Sequence, residues 1–206
     1  MSYESRLAIP QNGLIVFPGD SITETGRTPG AGDLGIGYVA MVACRFPGVR
    51  VINAGVGGDR VSDLRRRWPR DVLSHEADLV SVFIGINDTW CQCEGGIASP
   101  YAAYETDYRA LLEPLADRGV RLVLVEPVVV VVEPGQERWL PDVRRRQQIA
   151  ADLAGEFGAT LVPLAAPLAA LAARIGPSAV AEDGVHPTSA GHRAIADAWF
   201  AAVWPS

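Results

Sequence analysis

The chain has 206 residues, 49% of them hydrophobic and 20% charged. This composition suits one domain, residues 1–206, with a sizeable core, and excludes a disordered chain. A formal net charge of −6 argues against nucleic acid or an anionic membrane surface as the partner. Residues 1–13 show neither a basic leader nor the apolar stretch of a signal peptide, and no apolar run reaches the about 18 to 20 residues of a membrane span. A cytoplasmic protein is therefore expected.

The elements alternate along the chain. Apolar runs at Leu14–Phe17, Val49–Ile52, Leu79–Ile84, Arg121–Val125 and Thr160–Val162 are expected as strands, and several are apolar enough to be covered on both faces. Between them lie expected helices. The first spans Gly35–Arg45. The second buries Val61, Leu64, Trp68 and Val72, the third Tyr104, Tyr108, Leu111 and Leu115, and the fourth Ile149, Leu153 and Phe157. The last starts near Ser189 and buries Ile195, Trp199 and Val203. The Ala/Leu-rich stretch 161–173 is broken by Pro163 and Pro167. Strand and helix alternating in this way call for an α/β fold, a parallel sheet with helices on both sides. Ligands of such folds bind beyond the carboxyl ends of the strands.

Residues with chemical potential collect at those ends. The first strand runs into Pro18-Gly19-Asp20-Ser21, where the serine is either a nucleophile or a turn residue. The third runs into Gly85-Ile86-Asn87-Asp88, where Asn87 can donate its amide to an oxyanion or tie down a loop. Near the C-terminus, Asp183 precedes His186 by three residues, close enough in a tight turn to orient one ring nitrogen and free the other as a base. The G-x-S-x-G elbow is absent, so this serine does not belong to the α/β-hydrolase pattern. Two other readings fit these residues: a flavodoxin-like binding domain without catalysis, and a metal-dependent phosphoesterase using Asp20, Asp88 and His186. Cys91-Gln-Cys93 has no matching Cys or His pair, so reduced thiols are expected there and no metal. Arg65–Arg67 and Arg144–Arg146 are expected as solvated helix faces. His192 lacks an acid three residues upstream, where Ser189 stands, and His75 follows the second helix.

Four blocks together resemble the SGNH, or GDSL, hydrolase family: Gly19-Asp20-Ser21, Asn53 to Asp59, Gly85-Ile86-Asn87-Asp88 and Asp183-Gly184-Val185-His186-Pro187. The resemblance covers about residues 14–203. It implies a three-layer α/β/α sandwich on a five-stranded parallel sheet. It also implies Ser21 as nucleophile, His186 as general acid/base and Asp183 as its orienting partner. The oxyanion hole would comprise the backbone N–H groups of Ser21 and Gly58 and the side chain of Asn87, and no cofactor is needed. Stretches such as Phe17–Arg27, Arg67-Trp68 and Ile84–Trp90 are similar to intracellular bacterial acetylxylan esterases of that family, although Glu182 stands where that group can carry a Trp. The implied substrate is a small acyl ester, first an acetylated sugar, with Asp20 expected beside it. By their positions Trp90 and Trp139 either stack on a sugar ring or are core or interface aromatics. A homo-oligomer is compatible with this. The alternative on the same triad is a short-chain lipid esterase, thioesterase or lysophospholipase.

Overall fold

Five strands form the centre of the molecule, and their side chains alternate between two apolar layers. They are β1 (Leu14–Gly19), β2 (Arg50–Gly55), β3 (Leu79–Phe83), β4 (Arg121–Val125) and β5 (Thr160–Val162). All are parallel, in the order β2-β1-β3-β4-β5, with Leu14 opposite Arg50 and Ile15 opposite Leu79. The computed structural model describes residues 10, 12–28 and 32–204. Most of the N-terminal stretch that carried the expectation of no leader lies outside the described residues.

Because successive side chains of a strand point to opposite faces, each strand feeds both layers. Ile15, Phe17, Leu79, Phe83, Val123 and Val125 face one side. There they meet α2 (Tyr38–Ala43), α7 (Ala165–Ile175) and α8 (Ser189–Val203) through Tyr38, Leu168, Ile195 and Trp199. Leu14, Val16, Val80, Val82, Leu122 and Leu124 face the other side. They meet α3 (Val61–Trp68), α5 (Tyr101–Ala116) and α6 (Leu140–Glu156) through Leu64, Tyr108, Leu111 and Ile149. Each large aliphatic side chain so buried contributes about 1.5–3 kcal/mol. Within the first layer the buried Trp199 indole N–H is paired, donating to Ser81 Oγ at 3.0 Å. The expected three-layer α/β/α sandwich is the observed fold.

Three helices depart from the sequence expectation. Short α1 (Ser21–Glu24) and α4 (Ile86–Cys93) begin directly at strand ends, inside segments expected to be loops. The third is α7, which forms despite its prolines. Pro163 precedes it and Pro167 falls in its first turn, where no backbone N–H is needed within the helix. The valine run after β4 is a loop whose Val128, Val129 and Val130 are buried. No helix among the described residues is long and apolar enough to cross a membrane.

The strand order reverses at β1, and this creates a crevice between the loops after β1 and β3. Ser21 follows β1, Gly58 follows β2 and Asn87 follows β3, so topology alone brings the three to one edge of the sheet.

Candidate active site

The nucleophile candidate is held by a helix cap. Asp20 is fully buried and accepts the Ile22 N–H at 3.0 Å, closing the first turn of α1. Burial pushes its carboxyl up to about 7, against the opposing pull of the Ile22 N–H and of His186. Ser21, the first residue of the helix, is half-buried. Asp20 is thus sealed from solvent, which corrects the expectation that it meets substrate: it shapes the turn that presents Ser21.

Ser21 Oγ lies 2.9 Å from His186 Nε2, and His186 Nδ1 lies 2.7 Å from Asp183 Oδ2. The carboxylate also organises its own turn, since Oδ1 accepts the N–H of Val185 at 3.0 Å and of His186 at 2.8 Å. Burial alone would raise the Asp183 carboxyl, but the backbone and ring N–H groups of His186 outweigh it and leave it below its ordinary value. The turn needs Gly184, whose φ is +88°. A Cβ there would come within 2.7 Å of the Val130 carbonyl and 2.8 Å of Gln136 Oε1. Gln136, which no sequence signal singles out, clamps this turn from behind. Its Nε2 donates to the Asp183 carbonyl at 2.7 Å, while its Oε1 accepts the N–H groups of Val132 and Glu133 at 2.8 and 2.9 Å.

The same sheet edge also carries hydrogen-bond donors. The Asn87 amide gives one hydrogen to the Asp59 carbonyl at 2.9 Å, which leaves the second without an acceptor among the described residues. The N–H groups of Ser21 and Gly58 likewise have no acceptor among those residues. Gly58 sits at φ +81°, a conformation only glycine adopts without strain, and the preceding Gly57 N–H is fixed by Glu24 Oε2 at 2.8 Å. Asn53, at the head of this block, holds the loop: its amide donates to the Thr23 and Leu34 carbonyls at 2.7 and 2.9 Å, and its oxygen accepts the Gly55 N–H.

Beside His186 opens a cleft of about 460 Å³ lined by Trp90, Trp139, Glu94, Glu133 and Asp183 among others. The Trp90 ring lies 6.3 Å from His186 and 5.5 Å from Trp139. Trp139 is nearly buried, and its indole N–H donates to Glu94 at 2.9 Å. His192 is buried, its Nδ1 accepts the Tyr38 N–H, and burial drops it to about 4. It stands apart from the Ser21–His186–Asp183 chain. Two arginines expected on solvated faces do not lie there. Arg146 is fully buried against Asp142, which also accepts from Thr89, and Arg67 is enclosed among carbonyls and carboxylates near Ser21. Their helix positions carried the signal: Arg67 falls three residues after the buried Leu64, and Arg146 three after the buried Val143.

A doubly wound sheet with a hydrogen-bonded Ser-His-Asp chain at its carboxyl edge is an arrangement found in hydrolases. Residues 17–194 match the GDSL-like lipase/acylhydrolase family, and the chain belongs to that family. It is a carboxylic ester hydrolase. It is 34% identical to an acetylxylan esterase of Geobacillus stearothermophilus, over 90% of this chain and 91% of that one. The crystal structure of an acetylxylan esterase of that organism superposes with a TM-score of 0.87 at 29% identity, covering 96% of this chain and 97% of that one. Catalytic mutants of that enzyme with a serine or an aspartate changed to alanine also superpose. A GDSL-like lipase structure from Parabacteroides merdae gives a TM-score of 0.90 at 29% identity, covering 96% and 98% of the two chains.

Proposed function

We propose that Ser21, His186 and Asp183 act as nucleophile, general acid/base and orienting carboxylate in the hydrolysis of short acyl esters, above all acetyl esters of sugars. The observation that carries this is the pairing of two features around Ser21. One is the 2.9 Å and 2.7 Å hydrogen-bond chain; the other is the set of N–H groups at the same sheet edge, those of Ser21 and Gly58 and the second amide hydrogen of Asn87, that have no acceptor among the described residues.

The chemistry follows from these contacts. Asp183, held as carboxylate, accepts from Nδ1–H of His186, so the lone pair of Nε2 faces the Ser21 hydroxyl. As Ser21 Oγ attacks the ester carbonyl, its proton passes to Nε2 and the carbonyl oxygen gains negative charge. The three N–H donors receive that charge, each such contact being worth about 10²–10³ in turnover. His186 then gives its proton to the departing alcohol oxygen. Water, deprotonated by the same nitrogen, cleaves the acyl-serine and frees the carboxylic acid. The exposed cleft beside His186, with Trp90 on its wall, supports an alcohol portion that is a sugar, because an indole face stacks on a pyranose ring. The acetylxylan esterase likeness supports acetyl as the acyl group and xylo-oligosaccharides as the first substrates to try.

The test is acetate release from acetylated xylo-oligosaccharides, other acetylated sugars and lipid esters, alongside p-nitrophenyl esters of increasing chain length. Sugar acetates should lead and activity should fall beyond short chains. A kcat/KM that rises from acetyl to octanoyl would instead identify a lipid esterase, since a pocket that buries each added methylene gains about 0.8 kcal/mol.

A further inference from the structure

We infer that Arg67 is a positioning residue for all three oxyanion donors, acting through the loops that carry them rather than on the substrate. This rests on the assignment of Ser21, Gly58 and Asn87 to the oxyanion hole.

Arg67 lies near the C-terminal end of α3, with its side chain only 10% exposed. Its guanidinium reaches the loops after two strands at once. One terminal nitrogen donates to the Gly19 carbonyl at 2.8 Å, two residues before Ser21. The other donates to the Ala54 carbonyl at 2.7 Å, at the end of β2, and to Asp71 at 3.0 Å. Nε donates to the Asp59 carboxylate at 2.5 Å, one residue after Gly58. The Asp59 carbonyl in turn accepts the Asn87 amide at 2.9 Å. A single planar cation therefore fixes the turn of Ser21 directly, the turn of Gly58 through Asp59, and the Asn87 amide through the carbonyl of that same residue.

The physical need for such a device is specific. The first helical N–H, a glycine N–H at positive φ and a side-chain amide come from three segments with no ladder between them. An oxyanion site works only when its donors converge within a few tenths of an ångström on one point. The Gly19 carbonyl takes the Val56 N–H at 3.0 Å and has a second lone pair for Arg67, and a guanidinium is the one side chain with five N–H donors in a fixed plane to join such strand-end carbonyls. Burial pushes the Asp59 carboxyl up, while the hydrogen bond and charge of Arg67 oppose that rise. A lysine could neutralise Asp59 but could not span Gly19, Ala54 and Asp59 together.

The experiment is steady-state kinetics of Arg67→Met, Arg67→Lys, Asn87→Ala and the Arg67→Met/Asn87→Ala double variant on p-nitrophenyl acetate. It is run at a temperature where unfolding curves show each variant fully folded, with Ser21→Ala in parallel. Arg67→Met should lower kcat by about 10²-fold, with KM changed by no more than about threefold, as for loss of transition-state contacts. Arg67→Lys should recover only part of that loss. The double variant should lose clearly less than the product of the single losses, because Asn87 is aligned through Asp59. A folded Arg67→Met enzyme with wild-type kcat, or losses that simply multiply, overturns the inference and leaves Arg67 a structural clamp. If Arg67→Met does not fold, Asp59→Asn weakens the same pair without changing its shape and should lower kcat about tenfold; wild-type kcat there overturns the inference as well. Activity retained by Ser21→Ala would instead reject the underlying assignment of the site.

Discussion

On one face of Ser21 stands His186, its side chain 47% exposed, supported by an aspartate three residues away within a single turn. On the other face the donors come from the ends of β1, β2 and β3 and are tied together by an arginine that is 10% exposed. The proton-handling face is local in sequence and open to solvent, as befits a group that must meet alcohol and water in turn. The charge-holding face is assembled from distant segments and is rigid, as befits dipoles that must not move during reaction. The two faces should therefore fail differently when cut.

The largest effect belongs to the groups that move protons and form the acyl bond. Ser21→Ala and His186→Ala should each lower kcat by about 10⁴-fold or more. Both residues are partly solvent-exposed, so melting temperatures should stay close to wild type. Acetate release and thermal unfolding measured together check this. A few percent of residual turnover in Ser21→Ala would remove it as nucleophile.

Next comes the charge-holding face. Asn87→Ala should lower kcat by about 10²–10³-fold and leave KM nearly unchanged. An unaltered kcat would return Asn87 to the role of a loop tie to Asp59.

Beneath both faces lies Asp20, where the effect is on stability and depends on pH. Its folded pKa of about 7 stands above the ordinary 3.8, so the folded protein holds a proton that the unfolded chain has released. Stability from this group is greatest at low pH, declines as pH rises from about 4 towards about 7, and is flat beyond. The gap between 3.8 and about 7 corresponds to a loss of about 4 kcal/mol at most. Asp20→Asn keeps an oxygen for the Ile22 N–H and carries no charge, so it should be more stable than wild type at pH 8 and little different at pH 4. Urea unfolding at the two pH values decides this. Equal gains at both would mean that ionisation of Asp20 plays no part.

What could be read from the sequence divides along the same line as the two faces. The five strands are visible because they are short apolar runs, and the Asp183–His186 pair because its geometry is settled within one turn. Ser21 and Asn87 are placed by the rule that parallel strands deliver their loops to one edge. Gln136 and the inward role of Arg67 are not visible, since the contacts that tie them to the site, to the Asp183 carbonyl and to the Gly19 and Ala54 carbonyls, are to residues far along the chain. Their residue types are ordinary for a loop and a helix surface. Only the flank position of Arg67 beside Leu64 hints at burial, and α7 was hidden by prolines whose place in the first turn is known only once the helix start is known.

The smallest effect tests whether the open face also selects the alcohol. Trp90 is half-buried on α4, its ring 6.3 Å from His186 and turned towards the cleft. Trp139 is the poorer probe, because it is nearly buried and its indole N–H is tied to Glu94, so removing it would disturb the wall itself. Aromatic contacts of this kind are worth about 0.5–1.5 kcal/mol beyond area burial, equivalent to about two- to twelvefold in affinity. Trp90→Ala should therefore raise KM for an acetylated xylo-oligosaccharide within about that range, with kcat nearly constant. p-Nitrophenyl acetate measures the chemistry without a sugar, and its kcat should also stay near wild type. A kcat loss shared by both substrates would show that Trp90 supports His186, and the open face would then be a catalytic wall and not a sugar subsite. An unchanged KM for the sugar ester would move the binding of the alcohol away from this cleft altogether.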